Sequence, residues 1–149
     1  MRAVVARVSN ARVRVDGQTV GEIGTGLLSL ISVGADDGES DARVMAGKLA
    51  QLRIFADEHG LMNRSVQDVG AAVLLVSQFT LHGDVRRGRR PSFARAAKET
   101  QARALYQLTG ATLSEAGIPV AYGEFGAKMT VESANDGPVT ILIDTKKTF

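Results

Sequence analysis

Residues 72–81 read Ala72-Val73-Leu74-Leu75-Val76-Ser77-Gln78-Phe79-Thr80-Leu81. The five apolar residues in succession are what a strand covered on both faces requires, and the change at Ser77 to hydroxyl and amide side chains marks where that cover stops. The strand is expected to run over residues 72–80. Side chains alternate along a strand, so Gln78 and Thr80 would share one face while Ser77, Phe79 and Leu81 share the other. A few residues further on comes Arg86-Arg87-Gly88-Arg89-Arg90-Pro91-Ser92. The chain thus puts two hydroxyls and an amide at the end of a rigid element, close in sequence to a dense positive cluster.

Such a strand needs neighbours, and the flanking sequence supplies them. Residues 2–8 and 12–15 read as strands, and Asp16-Gly17 is a tight-turn signal before residues 19–23, which predicts a hairpin. Residues 27–33 are nearly all apolar and end at Gly34, as a second doubly covered strand would. Residues 39–52 carry Val44, Met45, Leu49 and Leu52 on one broad side, predicting an amphipathic helix packed on the sheet. Residues 53–56 are a candidate short strand before a turn at 57–60. Ser92 is placed to cap a short helix, and residues 101–116, closed by Gly117, predict a second main helix. The tail returns to β over 120–125, 128–133 and 139–144, with Asn135-Asp136-Gly137-Pro138 as the turn between the last two. Without repeat, linker or low-complexity segment, the pattern predicts one α+β domain over residues 1–149.

Composition narrows the chemistry. At 149 residues and 44% hydrophobic content the chain can bury a proper core, and the absence of cysteine excludes disulfides, thiolate catalysis and cysteine metal sites. A metal would have to be held by His59, His82 and carboxylates, and no H-E-x-x-H spacing is present. The N-terminus alternates apolar with charged residues and no run approaches a membrane span, so a cytoplasmic protein with no membrane partner is expected. The formal charge of +2 is small, but the arginines at 86, 87, 89 and 90 concentrate it locally.

If the strand ends near Thr80, the N–H groups of Phe79 and Thr80 lack ladder partners and can point at a developing oxyanion. Thr80 could then attack an acyl group, hold a water, or only satisfy strand-end backbone groups. His82 titrates near neutrality, but as an exposed loop residue beyond the strand it is not read as the base for Thr80. Arg86, Arg87, Arg89 and Arg90 offer planar donors for phosphate, since so dense a cluster repels itself unless an anion neutralises it. Arg7 is a charge inside the apolar strand at residues 4–8 and must find a partner or face a site. Gly137-Pro138 reads, on its own, as part of a plain turn.

Taken together, the opening MRAVVARVS, Leu52-Arg53-Ile54-Phe55, Met62-Asn63, Ser77-Gln78-Phe79-Thr80-Leu81, Gly88-Arg89-Arg90-Pro91-Ser92-Phe93, Gly123-Glu124-Phe125-Gly126-Ala127 and Asn135-Asp136-Gly137-Pro138-Val139-Thr140 resemble the D-aminoacyl-tRNA deacylase family. The match runs in order over essentially the whole chain. It implies antiparallel and mixed sheets forming a barrel-like layer with two main helices. It further implies a homodimeric hydrolase, without metal or cofactor, that cleaves the ester between a D-amino acid and the terminal adenosine of tRNA and also clears glycine mischarged on tRNA. Membrane and DNA are not partners in this picture.

The resemblance assigns residues as well. Ser77, Gln78, Phe79 and Thr80 would form the catalytic strand end, with the Phe79 N–H as oxyanion donor. Arg7, Ala102, Phe125 and Met129 would surround the terminal adenosine or brace the turn, and Arg86, Arg87, Arg89 and Arg90 would contact tRNA phosphates. The Gly137-Pro138 bond would be cis and the turn would reach into the partner's site, where its carbonyls take the α-amino group of a D-residue and an L side chain finds no room. Thr80 is the family's suspected nucleophile; the reading favoured here is that the tRNA 2′-hydroxyl assists water and the protein positions it. The competing reading of the chain is a non-catalytic RNA-binding module that uses residues 86–90.

Overall fold

β1 (Arg2–Val15) organises the sheet in the computed structural model, which describes residues 1–149. β8 (Thr130–Asp144) runs antiparallel along its whole length, while β3 (Gly26–Ser32) and β2 (Gln18–Ile23) divide its other edge between them. β6 (Ala72–Ser77) lies parallel to β3, and β7 (Val120–Tyr122) parallel to β6, giving the order β2-β1-β3-β6-β7. β4 (Phe55–Ala56) and β5 (Met62–Arg64) form a separate small ladder. Two helices, α1 (Glu39–Gln51) and α2 (Glu99–Glu115), pack together against one side. None of the helices is long and apolar enough to cross a membrane.

Alternation along the strands builds two cores that share the same elements. Val73 and Leu75 of β6 point to the helices, joining Met45, Leu49, Leu105 and Leu113, whereas Leu74 and Val76 point into the curl of the sheet with Val8, Val13 and Ile23. This is why residues 72–76 are continuously apolar: both faces are buried. β1 changes side along its length, with Ala3 and Val5 in the helix-facing core and Val8, Ala11 and Val13 in the inner one. Val8 keeps the alternation, and the register shift between Val8 and Asn10 changes the parity so that Ala11 and Val13 join it in the inner core.

The sheet curls until its ends nearly meet. A Cβ added at Gly21 of β2 would lie 2.1 Å from the carbonyl oxygen of Tyr122 in β7, so only glycine admits this approach of two backbones. Gly21→Ala is expected to destabilise the fold by about 2–4 kcal/mol, lowering the urea midpoint with the slope of the transition unchanged.

Several expectations from sequence are corrected. Residues 2–8 and 12–15 are one strand, because β8 bridges both halves. Of residues 53–56, only Phe55 and Ala56 are strand. Residues 120–125 form strand only through Tyr122. The expected strands at 128–133 and 139–144 are not the arms of a hairpin: strand begins only at Thr130, and residues 130–133 and 139–144 are parts of the single strand β8, which pairs with β1 on both sides of the turn. Between them Ala6 faces Thr140 and Val8 faces Asn135, so Asp136, Gly137, Pro138 and Val139 loop out opposite Arg7 alone. Ser92 caps no helix; it exchanges backbone hydrogen bonds with Asp84, 2.8 and 2.9 Å long. The second helix closes as expected, Gly117 (φ +82°) donating its N–H to the Ser114 carbonyl.

Candidate active site

The strand carrying Ser77 stops earlier than its sequence suggests. Gln78 makes the last ladder bond, donating its N–H to the Ile31 carbonyl at 2.7 Å, and the Leu81 N–H then bonds back to the Gln78 carbonyl, so Phe79–His82 form a single 3-10 turn. Gln78 and Thr80 do not therefore alternate along a strand to residue 80; the Gln78 amide instead donates to the Thr80 hydroxyl across the turn. Phe79 and Thr80 open this turn, so their N–H groups have no acceptor inside it, and no loop carbonyl or side chain takes them.

Below the turn lies a cleft of about 420 Å³. Ser77, Gln78 and Phe79 line one side, Ala102 and Tyr106 of α2 another, and Phe125, Met129 and Val131 a third. Most of the lining is hydrophobic, which suits a flat apolar group such as a base or an aromatic side chain. The Tyr106 hydroxyl donates to the Leu75 carbonyl at 2.8 Å, and burial, with Tyr122 beside it, pushes its pKa well up, so it stays a protonated donor. Its ring lies 5.6 Å from that of Phe125, over which the Arg103 guanidinium sits at 4.5 Å.

Not every expected residue reaches this cleft. Thr80 is exposed at its rim and is not part of the lining. Arg7, Gly137 and Pro138 lie elsewhere in the chain. Arg7 donates to the carbonyls of Ile54 (2.5 Å) and Asp136 (3.1 Å) and pairs with the Asp136 carboxylate at 3.2 Å, so it holds the looped-out segment from behind. That segment is exposed, its Gly137-Pro138 bond is cis, and Gly137 has φ +135°.

The arginine loop connects to the site through stacking. Phe79 and Phe93 meet edge to face at 5.1 Å, which ties the loop closed by Asp84 and Ser92 to the turn. Arg86 is held by Asp84 through contacts of 2.5 and 2.9 Å, and these bonds keep the Asp84 carboxyl far below the usual carboxylate range. Arg87, Arg89 and Arg90 are exposed and form no ion pair.

His82 is not the exposed loop residue expected from sequence: it is 7% exposed, and its Nδ1 lies 2.5 Å from the Ser32 hydroxyl. It is committed to Ser32. Sequence reading also missed Ser32, Tyr106 and Glu99 as cleft residues. For α2 the signal was available, because Glu99, Ala102 and Tyr106 follow each other at three and four residues and so share a helix face. No group of three or more His, Asp or Glu side chains converges as a metal site would require.

A mixed, almost closed sheet with two helices on one side and an apolar cleft at a strand end agrees with what comparison finds. The chain belongs to the D-Tyr-tRNA(Tyr) deacylase family, matched over residues 4–144. It is 56% identical over 149 residues to a D-aminoacyl-tRNA deacylase of Symbiobacterium thermophilum, covering 100% of this chain and 99% of the relative. Among solved structures it is similar to the c-Myc DNA Unwinding Element Binding Protein (TM-score 0.92, 38% identity, covering 97% of this chain and 99% of the other). A probable eukaryotic D-amino acid tRNA deacylase shares the fold at 20% identity (TM-score 0.79, covering 95% of this chain and 97% of the other).

Proposed function

We propose that the chain hydrolyses the ester joining a D-amino acid, or glycine, to the terminal adenosine of tRNA, as a homodimer in the cytoplasm. The observation that carries this reading is the cleft, where Ser77, Gln78 and Phe79 face Ala102, Phe125 and Met129. The terminal adenosine enters the apolar part, and the ester carbonyl reaches the turn, whose Phe79 and Thr80 N–H groups receive the negative charge that develops on its oxygen.

One chain supplies only part of such a site. The Gly137-Pro138 turn is exposed, anchored by Arg7 and carried on β8, which has no partner on its outer edge. In the dimer the turn enters the partner's cleft and presents carbonyls to the α-amino group of the substrate. A D side chain then points to open space, an L side chain meets the turn, and glycine has nothing to exclude.

Thr80 is read as a positioning residue. Its hydroxyl is engaged by Gln78, it stands outside the cleft lining, and His82 is occupied by Ser32, so no base serves it. The tRNA 2′-hydroxyl, beside the scissile ester, is the better-placed group to assist water. Thr80→Ala is expected to keep kcat within about fivefold of wild type; near-total loss with intact folding would restore Thr80 as nucleophile.

Arg87, Arg89 and Arg90 are the free charges for phosphates, with Arg86 engaged by Asp84. Replacing these three with glutamate is expected to raise KM about tenfold at low salt and to flatten the salt dependence, with kcat little changed. Incubation of the purified protein with D-tyrosyl-tRNA tests the whole reading. Release of free D-tyrosine is expected; salt-sensitive tRNA binding without release would favour the RNA-binding module instead.

A further inference from the structure

We propose that Ser32 and His82 form a buried positioning pair that holds the Phe79–Thr80 peptide plane and so sets the direction of a backbone donor at the rim of the cleft. The proposal rests on the esterase reading for its catalytic consequence, but not for its geometry. Ser32 ends β3, is 2% exposed and lines the cleft. Its hydroxyl lies 3.3 Å from the Phe79 carbonyl oxygen and 2.5 Å from Nδ1 of His82. The Phe79 carbonyl and the Thr80 N–H belong to one planar peptide unit, so whatever holds the oxygen fixes where the N–H points. A hydrogen bond to that oxygen also polarises the N–H and makes it a stronger donor.

A serine hydroxyl has one proton, and here two acceptors compete for it. The Nε2 atom of His82 and carboxylate oxygens of Asp36 and Asp37 converge on Gly34, each 3.1–3.2 Å from the place a Cβ would take there. Neutral His82 with its hydrogen on Nε2 leaves Nδ1 to accept from Ser32. When His82 gains a proton, Nδ1 donates to the Ser32 oxygen, and the serine proton turns to the Phe79 carbonyl. The peptide plane carrying the Thr80 N–H is then tied down.

The groups facing His82 set where this exchange falls. Burial lowers its pKa from the ordinary 6.5, and the charges of Arg2 and the Met1 ammonium act the same way, while Asp37 and Asp144 oppose them. Asp36, Arg95 and Lys146 line the same polar recess. The exchange therefore falls in solution more acidic than the ordinary imidazole midpoint.

Amide and imidazole shifts of 15N-labelled protein, followed from pH 8 downwards, test the coupling directly. The Thr80 amide is expected to titrate with the midpoint of His82, below the ordinary 6.5. In Ser32→Ala the His82 titration should persist and the Thr80 response should vanish, whereas Ser32→Thr, which keeps the hydroxyl, should retain both. On D-tyrosyl-tRNA, Ser32→Ala should lower kcat about 5- to 20-fold with KM within about twofold, and His82→Gln should remove the matching inflection from the kcat profile. A Thr80 amide that ignores the His82 titration, or follows it equally in Ser32→Ala, overturns the proposal. Absence of deacylation with the coupled titration intact overturns the esterase reading alone.

Discussion

Gly137→Ala is expected to lower deacylation of D-tyrosyl-tRNA by about 100-fold or more while leaving the fold in place. The physical reason is local. Gly137 has φ +135°, a conformation that an L side chain rarely adopts, and an added Cβ would stand 2.7 Å from a Val139 methyl, 2.9 Å from the Val139 nitrogen and 3.2 Å from an Arg7 guanidinium nitrogen. The turn must move, and it takes with it the carbonyls proposed to receive the substrate amino group. Because Gly137 itself is exposed and in neither core, and only Val139 of the segment packs partly buried against the helix-facing one, thermal unfolding should change little. Kinetics of the variant at matched dimer content check this.

Ala102→Phe should be nearly as damaging for a different reason. Ala102 lies half-buried on the cleft face of α2, where a phenyl group projects into the volume proposed for the terminal adenosine. A loss of kcat/KM of about 100-fold is expected, mostly in KM, from exclusion alone. The two variants together test the shared site. If the turn acts in the partner's cleft, a mixed dimer has one site carrying both lesions and one carrying neither. Co-expression at equal amounts should then restore about a quarter of wild-type activity, since half the dimers are mixed and half of their sites are intact. If the turn serves its own cleft, mixing restores nothing.

Much of this architecture is legible in the sequence where the cause is local. The continuous apolar run over residues 72–76 does report a strand buried on both faces, and the 3.6-residue patterns of α1 and α2 appear within a residue or two of their limits. Arg7 was identifiable as a charge in need of a partner. The partner was not, because Asp136 and Ile54 reach it only through long-range pairing.

Failures fall where distant strands decide. Asn135-Asp136-Gly137-Pro138 carries the residues of a hairpin turn, yet β1 pairs with the chain on both sides of it, so the same residues make an excursion within one strand. Likewise Ser77-Gln78-Phe79-Thr80 continues the alternation of a strand in sequence. Its partner β3 ends at Ser32, so the ladder runs out and the chain turns. His82 looked like a loop residue because nothing nearby in sequence announces Ser32, fifty positions away. The candidate site and its division between a strand end and a partner's turn were recognised from motifs, whereas the part that Ser32, Glu99 and Tyr106 take in the cleft emerged only from the fold.

The central claim is that a cleft at this strand end, completed by a second subunit's turn, hydrolyses aminoacyl-tRNA according to the handedness of the amino acid. Initial rates on D-tyrosyl-tRNA and L-tyrosyl-tRNA, measured side by side with the same tRNA and enzyme preparation, test it most directly. The account predicts hydrolysis of the D-ester about 100-fold faster or more, since an L side chain must occupy volume taken by the turn. Equal rates on the two esters would contradict it.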